Sequence, residues 1–257
     1  MKVLIVGSGG REHAIATSVA KSEKVSKIYC APGNGGISQI AECVAIGAME
    51  FDKLVAFAKE NEIDLTVIGM DDPLVGGVVD AFEEAGLRVF GPRKNAAILE
   101  GSKAFSKDFM VKHNIPTAKY KEANSYDEAV AYLEEFSYPV VVKADGLAAG
   151  KGVVIPETLE EADEALRDML QDEKFGKGKV VIEEYLEGPE FSLLCFVNGK
   201  DVYPMPVAQD HKRAYDGDKG PNTGGMGAYT ELPFITEEDL EYAMNKIMRP
   251  TAAAMVE

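Results

Sequence analysis

The chain has 257 residues, of which 46% are hydrophobic and 27% are charged, and 27 Lys and Arg against 43 Asp and Glu give a formal net charge of −16. A chain of this length forms one large or two ordinary domains, with about three quarters of its unfolded surface buried and no need for structural cross-links. An acidic protein lacks the broad positive face by which nucleic-acid and anionic-membrane binders displace counterions. We therefore expect neither as a partner, and an anionic ligand must be held by a local set of Lys, Arg and backbone N–H groups.

Three cysteines, Cys30, Cys43 and Cys195, are widely spaced in apolar runs. They indicate reduced core thiols of a cytoplasmic protein, because no C-x-x-C pair or histidine cluster accompanies them. The apolar run at 3–6 is too short for a signal peptide, and no run reaches the roughly 18 residues that a membrane helix needs. We expect a cytoplasmic protein with no membrane partner.

Short β-branched runs alternate with helical patterns in the first part of the chain. They predict strands at 2–7, 27–30, 64–69 and 88–91, and helices at about 12–21, 51–60 and 73–84. This alternation is typical of an α/β domain in which helices cover a parallel sheet. Ligands of such sheets bind at the loops that follow the strands.

The pattern changes after the last of these strands. Ser102 is the predicted N-cap of a helix that runs to about Lys112, and capping-box patterns at Ser125 and Thr158 each open an amphipathic helix. Apolar runs flank a Gly/Ala-rich loop at 145–152, and the segment 179–199 predicts a strand, a break and a second strand near 191–198. Together these features predict a small α+β unit of four strands and two helices.

The final part of the chain reads differently. The segment 201–235 is rich in glycine and proline and is predicted to be loop-rich, and a capped helix is predicted after Thr236. Within this segment, the glycines of 218–227 suggest backbone wrapped closely around a small polar ligand.

The first glycine-rich loop, residues 7–12, follows a strand and opens a helix, so its N–H groups can hold a phosphate. It fails as a dinucleotide fingerprint, because Glu12 replaces the last glycine and residues 30–32 lack the acidic group that binds a ribose. A nicotinamide-dependent oxidoreductase is therefore disfavoured, while a packing turn without ligand stays open. Arg11 favours a sugar monophosphate, since a guanidinium can pair bidentately with a terminal phosphate.

The loop at 145–152 carries Lys151 among glycines but is no Walker A motif, because its spacing is one residue short and a strand follows it. With Lys143 on the preceding strand, it predicts a cationic flap over a triphosphate, and an ordinary hairpin is the alternative. Glu183 and Glu184 end the next predicted strand. Carboxylates in an acidic protein are commonly solvated, so these residues alone leave their role open.

Six strings, taken together, resemble the phosphoribosylamine–glycine ligase (glycinamide ribonucleotide synthetase) family of the ATP-grasp superfamily. They are GSGGREHA (7–14), APGNGG (31–36), LEGSKAFSKDFM (99–110), KADGLAAGKGVV (143–154), VIEEYLEGPEFS (181–192) and QDHKRAYDGDKGPNTGGMGAY (209–229). The match is collinear over the whole chain. It implies a Rossmann-like substrate-binding domain at 1–101, the ATP-grasp small subdomain with its leading helix at 102–190, and the start of the large subdomain at 191–257.

The resemblance also implies an activity in de novo purine biosynthesis. In such ligases the glycine carboxylate attacks the γ-phosphate of ATP, and the amine of 5-phosphoribosylamine then displaces phosphate from the glycyl phosphate. The cofactors implied are ATP as co-substrate and Mg²⁺ or Mn²⁺ in the complete protein. The Glu and Asn that ligate metal in the family have no counterpart in this sequence, so we assign no metal ligand. We expect an N-terminal portion that is inactive alone, or a non-catalytic nucleotide- and sugar-phosphate-binding fragment, and a monomer that binds only small molecules.

Motif positions in the family imply three sets of site residues. ATP is expected at Lys103, Lys143, Gly150, Lys151, Gly152, Glu183, Glu184, Tyr185, Leu186 and Glu190. Phosphoribosylamine and glycine are expected at Gly9, Gly10, Arg11, Glu12, Asn34, Gly35, Asp71, Asp218, Asn222, Thr223 and Gly224. The catalytic residues expected are Lys143, Lys151, Asp210 and Lys212. At Asp71 the chain departs from the family, which has a glutamate there.

Overall fold

The computed structural model describes residues 1–146, 152–172, 178–217 and 219–257, without the side chains of 221 and 222. The chain divides into two compact units, Met1–Gly101 and Ser102–Glu257. In these described ranges, no helix combines the length and the apolar character needed to cross a membrane.

The first unit is a parallel sheet with helices. Its strands are β1 (Lys2–Gly7), β2 (Lys27–Pro32), β3 (Glu42–Cys43), β4 (Leu65–Ile68) and β5 (Val89–Phe90). Its helices are α1 (Gly10–Val19), α2 (Phe51–Glu60), α3 (Asp71–Gly76), α4 (Val78–Glu84) and α5 (Lys94–Gly101). The strand order is β3-β2-β1-β4-β5, which confirms the predicted parallel sheet. The strand order reverses between β1 and β4, so the loops after β1, β2 and β4 lie at the carboxyl edge where such sheets bind ligands.

The central strand β1 is apolar on both faces, and this fixes the loops that follow it. On one face Leu4 and Val6 pack with Phe82 of α4, and on the other Val3 and Ile5 pack beneath α1. All five side chains are buried. Full burial of such a side chain stabilises a fold by about 1.5–3 kcal/mol, so β1 is a firm base for the glycine-rich loop at its end.

Several details of the first unit differ from the prediction. The helix predicted at 73–84 is two helices, because Gly77 has a left-handed backbone with φ of 99° between α3 and α4. The strand β3 and the helix α5 were not predicted, and β3 has only two residues, too few to show an alternating pattern. Cys30 is buried as expected, but Cys43 is exposed on the edge strand β3, so the prediction of a core thiol is wrong there.

The second unit begins with an antiparallel sheet. Its strands are β6 (Tyr120–Ala123), β7 (Val140–Ala144), β8 (Val153–Val154) and β9 (Val180–Glu184), in the order β6-β9-β7-β8. Its helices are α6 (Lys103–Lys112), α7 (Tyr126–Leu133) and α8 (Leu159–Leu170). The helices α7 and α8 and the strands β7, β8 and β9 confirm most of the predicted α+β unit, which the predicted helix α6 precedes. Its fourth strand is β6, whereas the predicted strand near 191–198 does not belong to this sheet.

The predicted caps of these helices are present. The side chains of Ser102, Ser125 and Thr158 each accept a hydrogen bond from a backbone N–H three residues ahead. The boxes are shifted by one residue, because Glu128 and Glu161 accept from the N–H of the residue before the cap. Each cap stabilises its helix by about 1 kcal/mol, which explains why the helix starts could be read from sequence.

Alternation in β7 and β9 separates a core face from a site face. Val140, Val142 and Ile182 are fully buried and pack with residues of α7 and α8. Because neighbouring side chains of a strand point to opposite faces, Lys143 and Glu183 lie on the other face of the sheet.

The rest of the second unit contains short hairpins and a helix. The segment 201–235, predicted as loop-rich, also contains short strands, which make up half of its described residues. The strands of this part are β10 (Cys195–Asn198), β11 (Asp201–Pro204), β12 (Ala208–Asp210), β13 (Arg213–Tyr215), β14 (Lys219–Asn222) and β15 (Ala228–Thr230). They pair as β10-β11, β12-β15 and β13-β14. The helix predicted after Thr236 is α9 (Glu237–Ala243), which continues through a π-helical segment (Met244–Met248) into α10 (Arg249–Ala254).

Candidate functional site

The loops after β1 and β2 are joined by one side chain. Asn34 donates from Nδ2 to the carbonyl oxygen of Ser8 at 2.8 Å. Its Oδ1 accepts from the backbone N–H groups of Gly36 and Ile37, at 2.8 and 2.9 Å. Asn34, predicted as a substrate contact, therefore holds the two loops together at the carboxyl edge of the sheet.

Glu12 lies beneath the first loop. Its carboxylate is buried, with 2% of the residue exposed, and its Oε2 accepts from the N–H of Gly9 at 2.6 Å. A Cβ at Gly7 or Gly69 would lie 2.6 or 2.2 Å from the Glu12 side chain, so only glycine fits at both positions. Glu12 thus shapes the loop from below and does not line its surface. The N–H of Gly9, a predicted substrate contact, is already used by this bond.

Arg11 links the loop after β1 to the loop after β4. Its Nη1 donates to the carbonyl oxygen of Gly69 at 2.7 Å and lies 3.3 Å from Oδ1 of Asp71. Both side chains of this ion pair are largely exposed, and exposed pairs contribute at most about 1 kcal/mol. A phosphate can therefore replace Asp71 as the partner of Arg11. At Gly10 and Gly35 a Cβ would contact nothing within 4 Å, so space remains above both predicted residues.

In the second unit, Asp145 fixes the start of α6 against the end of β7. Its Oδ1 accepts from the backbone N–H groups of Lys103 and Ala104 at 2.6 and 3.2 Å, and its Oδ2 accepts from the Ser102 hydroxyl at 3.1 Å. Lys103 donates from Nζ to the carbonyl oxygen of Gly146 at 2.6 Å. The predicted ATP ligand Lys103 thus lies at the start of the Gly/Ala-rich loop.

Two lysines share the buried carboxylate of Glu183. Nζ of Lys107 lies 2.9 Å from Oε2, and Nζ of Lys143 lies 2.9 Å from Oε1. The contact with Lys143 is an ion pair without hydrogen-bond alignment, since Oε1 has no hydrogen-bond partner among the described residues. Lys107 also donates to Oγ1 of Thr117 at 2.8 Å. The structure therefore brings the predicted residues Lys143 and Glu183 together.

The remaining predicted ATP contacts follow the end of β9. Oε1 of Glu184 accepts from the N–H of Lys119 at 2.7 Å, which ties the end of β9 to the residue before β6. Tyr185, Leu186 and Glu190 are exposed in the segment after β9. Their exposed position leaves them accessible to a ligand.

Some of the predicted site residues are not among the residues that the structure describes. Gly150, Lys151 and Asp218 lie outside the described residues, and so does the side chain of Asn222. Gly152 is described, and its carbonyl oxygen accepts from the N–H of Ala144 at 2.8 Å in the β7-β8 pair.

A glycine-rich turn holds the last group of predicted residues. The carbonyl oxygen of Lys212 accepts from the N–H of Thr223 at 2.6 Å, and Oγ1 of Thr223 accepts from the N–H of Gly225 at 3.1 Å. A Cβ at Gly225 would lie 3.0 Å from Oδ1 of Asp210, so the turn packs closely on that carboxylate. Gly224, beside them, is exposed. Between described residues, no hydrogen bond or ion pair joins this turn to Lys103, Lys143 or Glu183.

Sequence reasoning missed two residues of this site, Lys107 and Asp145. A signal for Lys107 existed, because it stands four residues after Lys103 and therefore on the same side of α6. As for a metal ion, the described parts of the chain hold no group of three or more His, Cys, Asp or Glu side chains that could bind one. We assign no step of a reaction to a metal.

Comparisons with known proteins bear on both units. A family model described as the phosphoribosylglycinamide synthetase N domain matches residues 1–100, and its ATP-grasp (A) domain matches residues 101–257. A phosphoribosylamine–glycine ligase of Halalkalibacterium halodurans is 58% identical over an alignment of 259 residues, which covers 100% of this chain and 60% of that protein. The ligase of Listeria innocua is 55% identical over 261 residues, covering 100% of this chain and 62% of that protein.

Comparison with solved structures also finds a phosphoribosylamine–glycine ligase. The crystal structure of the Thermotoga maritima phosphoribosylamine–glycine ligase matches with a TM-score of 0.84 and 36% identity, over 99% of this chain and 61% of that one. The biotin carboxylase domain of the Hydrogenobacter thermophilus 2-oxoglutarate carboxylase, solved with MgADP, matches with a TM-score of 0.75 and 20% identity, over 99% of this chain and 58% of that one. The second likeness concerns the fold alone. The chain spans about three fifths of the length of the curated relatives it matches.

Proposed function

The chain belongs to the phosphoribosylglycinamide synthetase family, and we propose that its protein joins glycine to 5-phosphoribosylamine in an ATP-dependent reaction of purine biosynthesis. The products are glycinamide ribonucleotide, ADP and phosphate. One observation of the fold carries this proposal. Lys107 and Lys143 share the single buried carboxylate of Glu183, and Lys103 donates to the carbonyl oxygen of Gly146 at the start of the Gly/Ala-rich loop, in a chain whose net charge is −16. Such a local excess of positive charge suits a polyphosphate.

The lysines act on the charge of ATP. We propose that Lys103 and Lys143 pair with its phosphates, and that the loop beside them covers the nucleotide and excludes water. Phosphoryl transfer needs little covalent chemistry from the protein and depends on positioning and on neutralising charge. The backbone groups of 183–186 would meet the adenine, and the Glu190 carboxylate would accept from the ribose hydroxyls.

The reaction itself has two steps. An oxygen of the glycine carboxylate attacks the γ-phosphorus of ATP, and the bond between the γ-phosphorus and the oxygen that bridges it to the β-phosphate breaks. ADP is the leaving group, and glycyl phosphate is formed. The amine of phosphoribosylamine then attacks the carbonyl carbon, an amide bond forms, and inorganic phosphate and a proton are released. We propose that Asp210, Lys212 and Thr223 lie at this reacting end, with Asp218 and Asn222.

The loops of the first unit would hold the sugar phosphate. The N-terminal N–H groups of α1 and the Arg11 guanidinium face an anion at the edge of the sheet, and the helix dipole adds to their attraction. Asn34 and Glu12 keep the loops in place. In this arrangement the phosphate exchanges with Asp71 as the partner of Arg11.

The test is phosphate release with ATP, Mg²⁺, glycine and freshly made phosphoribosylamine, alongside calorimetric binding of ATP. The full-length Halalkalibacterium relative serves as positive control. We expect ATP binding by this chain to fall at least tenfold in Lys143→Met, whereas Lys200→Met, an exposed lysine in the β10-β11 turn, leaves it unchanged. Turnover that needs both glycine and phosphoribosylamine supports the ligase. Binding without turnover supports a non-catalytic module that binds nucleotide and sugar phosphate, and absence of ATP binding refutes the proposal for this chain.

A further inference from the structure

Lys107 is a buried cation to which the proposed mechanism gives no task. Only 8% of its side chain is exposed, against 27% for Lys143, and 6% of the Glu183 side chain is exposed. A buried ammonium is costly unless it is paired and hydrogen-bonded. Lys107 meets both conditions, through Oε2 of Glu183 at 2.9 Å and Oγ1 of Thr117 at 2.8 Å, and its Nζ also lies 5.7 Å from the Tyr120 ring centroid.

The two lysines hold Glu183 in different ways. Lys107 lies in a buried site against two oxygens, Oε2 of Glu183 and Oγ1 of Thr117, whereas the side chain of Lys143 is more exposed. The contact of Lys107 is therefore the permanent one and that of Lys143 the exchangeable one. If Glu183 had only Lys143 as partner, moving Lys143 to a phosphate would leave a buried carboxylate without a counter-ion, which is strongly unfavourable.

We infer that Lys107 is a positioning residue for ATP binding: it is the standing counter-ion of Glu183 and leaves Lys143 free to pair with a phosphate. The inference rests on the proposed function, in which Lys143 contacts ATP. Lys107 itself touches no part of the nucleotide in this arrangement. Without Lys107, Glu183 retains Lys143, and the affinity for phosphate groups falls.

The experiment compares ATP with adenosine, which lacks phosphates, by calorimetric titration and competition. In Lys107→Met we expect ATP to bind at least tenfold more weakly and adenosine to change less than twofold. The double variant Lys107→Met with Glu183→Gln removes the charge that captures Lys143, and we expect it to recover ATP affinity to within threefold of the unchanged chain. Lys112→Met, an exposed lysine at the end of the same helix, is the matched control.

The possible results distinguish failure of the inference about Lys107 from failure of the proposed function. Equal losses for ATP and adenosine would mean that Lys107 only supports the fold, and unchanged ATP binding would mean that it does nothing for Lys143; either result overturns the inference while the proposed function stands. If Lys107→Met does not fold, the double variant and Lys107→Arg carry the test, and a tenfold loss of ATP affinity in both overturns it. An unchanged chain that binds no ATP refutes the proposed function and this inference together.

Discussion

Asp145 offers the sharpest test of how the second unit is built. Its carboxylate accepts from two backbone N–H groups at the start of α6 and from the Ser102 hydroxyl. Loss of a capping acceptor costs about 0.5–2 kcal/mol, and the favourable charge at a helix N-terminus contributes about 0.3–1 kcal/mol more. The Ser102 cap remains, so we expect Asp145→Ala to destabilise the second unit by about 2 kcal/mol. Asp145→Asn keeps an acceptor oxygen and loses the charge, and should cost about 1 kcal/mol.

The assay is thermal unfolding combined with hydrogen exchange. For a unit of this size 1 kcal/mol corresponds to about 2–4 °C, so Asp145→Ala should lower the Tm of the second unit by about 4–8 °C. Faster amide exchange is expected in a peptide covering α6, with no change in a peptide covering β1. Asp201→Ala, an exposed aspartate on β11, is the control and should stay within about 0.5 kcal/mol of the unchanged chain.

Two results would refute this reasoning. If Asp145→Ala is no less stable than Asp201→Ala, the carboxylate does not anchor α6. If Asp145→Asn is as damaging as Asp145→Ala, the acceptor oxygen that asparagine keeps contributes nothing, and the division of the loss between hydrogen bonding and charge is wrong.

Three further predictions concern the first unit. Gly69→Ala puts a Cβ 2.2 Å from Oε1 of Glu12 and should cost about 1–3 kcal/mol in denaturant unfolding, whereas an unchanged midpoint would show that the loop yields freely. Cys43, which is exposed, should react with a thiol reagent at pH 8, while Cys30 stays unmodified until pH rises far higher or the chain unfolds, because burial raises the pKa of Cys30 to about 12. Asn34→Ala should weaken ribose 5-phosphate binding about tenfold and leave ATP binding unchanged, as titrations with each ligand would show.

The elements that could be predicted from sequence have local causes. The strand β7 was predicted from its apolar residues. The helices α6, α7 and α8 were predicted from capping residues that bond to nearby backbone N–H groups. The strands β11 to β15 escaped prediction because each has only three or four residues and glycine and proline lie within or between them. The break at Gly77 escaped because the apolar pattern continues across it.

Some residues of the candidate site could likewise be predicted from the sequence, and others could not. Strings shared with the family indicated Lys103 and Lys143. The spacing of four residues places Lys107 on the same side of α6 as Lys103, but the sequence does not show that Lys107 is buried. Its partner Glu183 comes from a distant strand, which the β7-β9 register places opposite Val141. Glu12 is the opposite case, because the family string implied that it contacts substrate, whereas its side chain is buried. Its burial depends on Gly69, whose approach only the pairing of β1 with β4 brings about.

The net charge of the whole chain and the local charge around Glu183 have different consequences for anion binding. A net charge of −16 excludes a broad cationic face, yet screening at physiological ionic strength limits the reach of exposed charges to about 8 Å. Contacts of 2.9 Å between ammonium groups and a buried carboxylate are far inside that range and little screened. Whether an anion binds is therefore decided by the few charges around Glu183, where two lysines face one carboxylate and leave one positive charge uncompensated. Composition predicted that a focused set of cations must exist, and only the fold identifies which lysines form it.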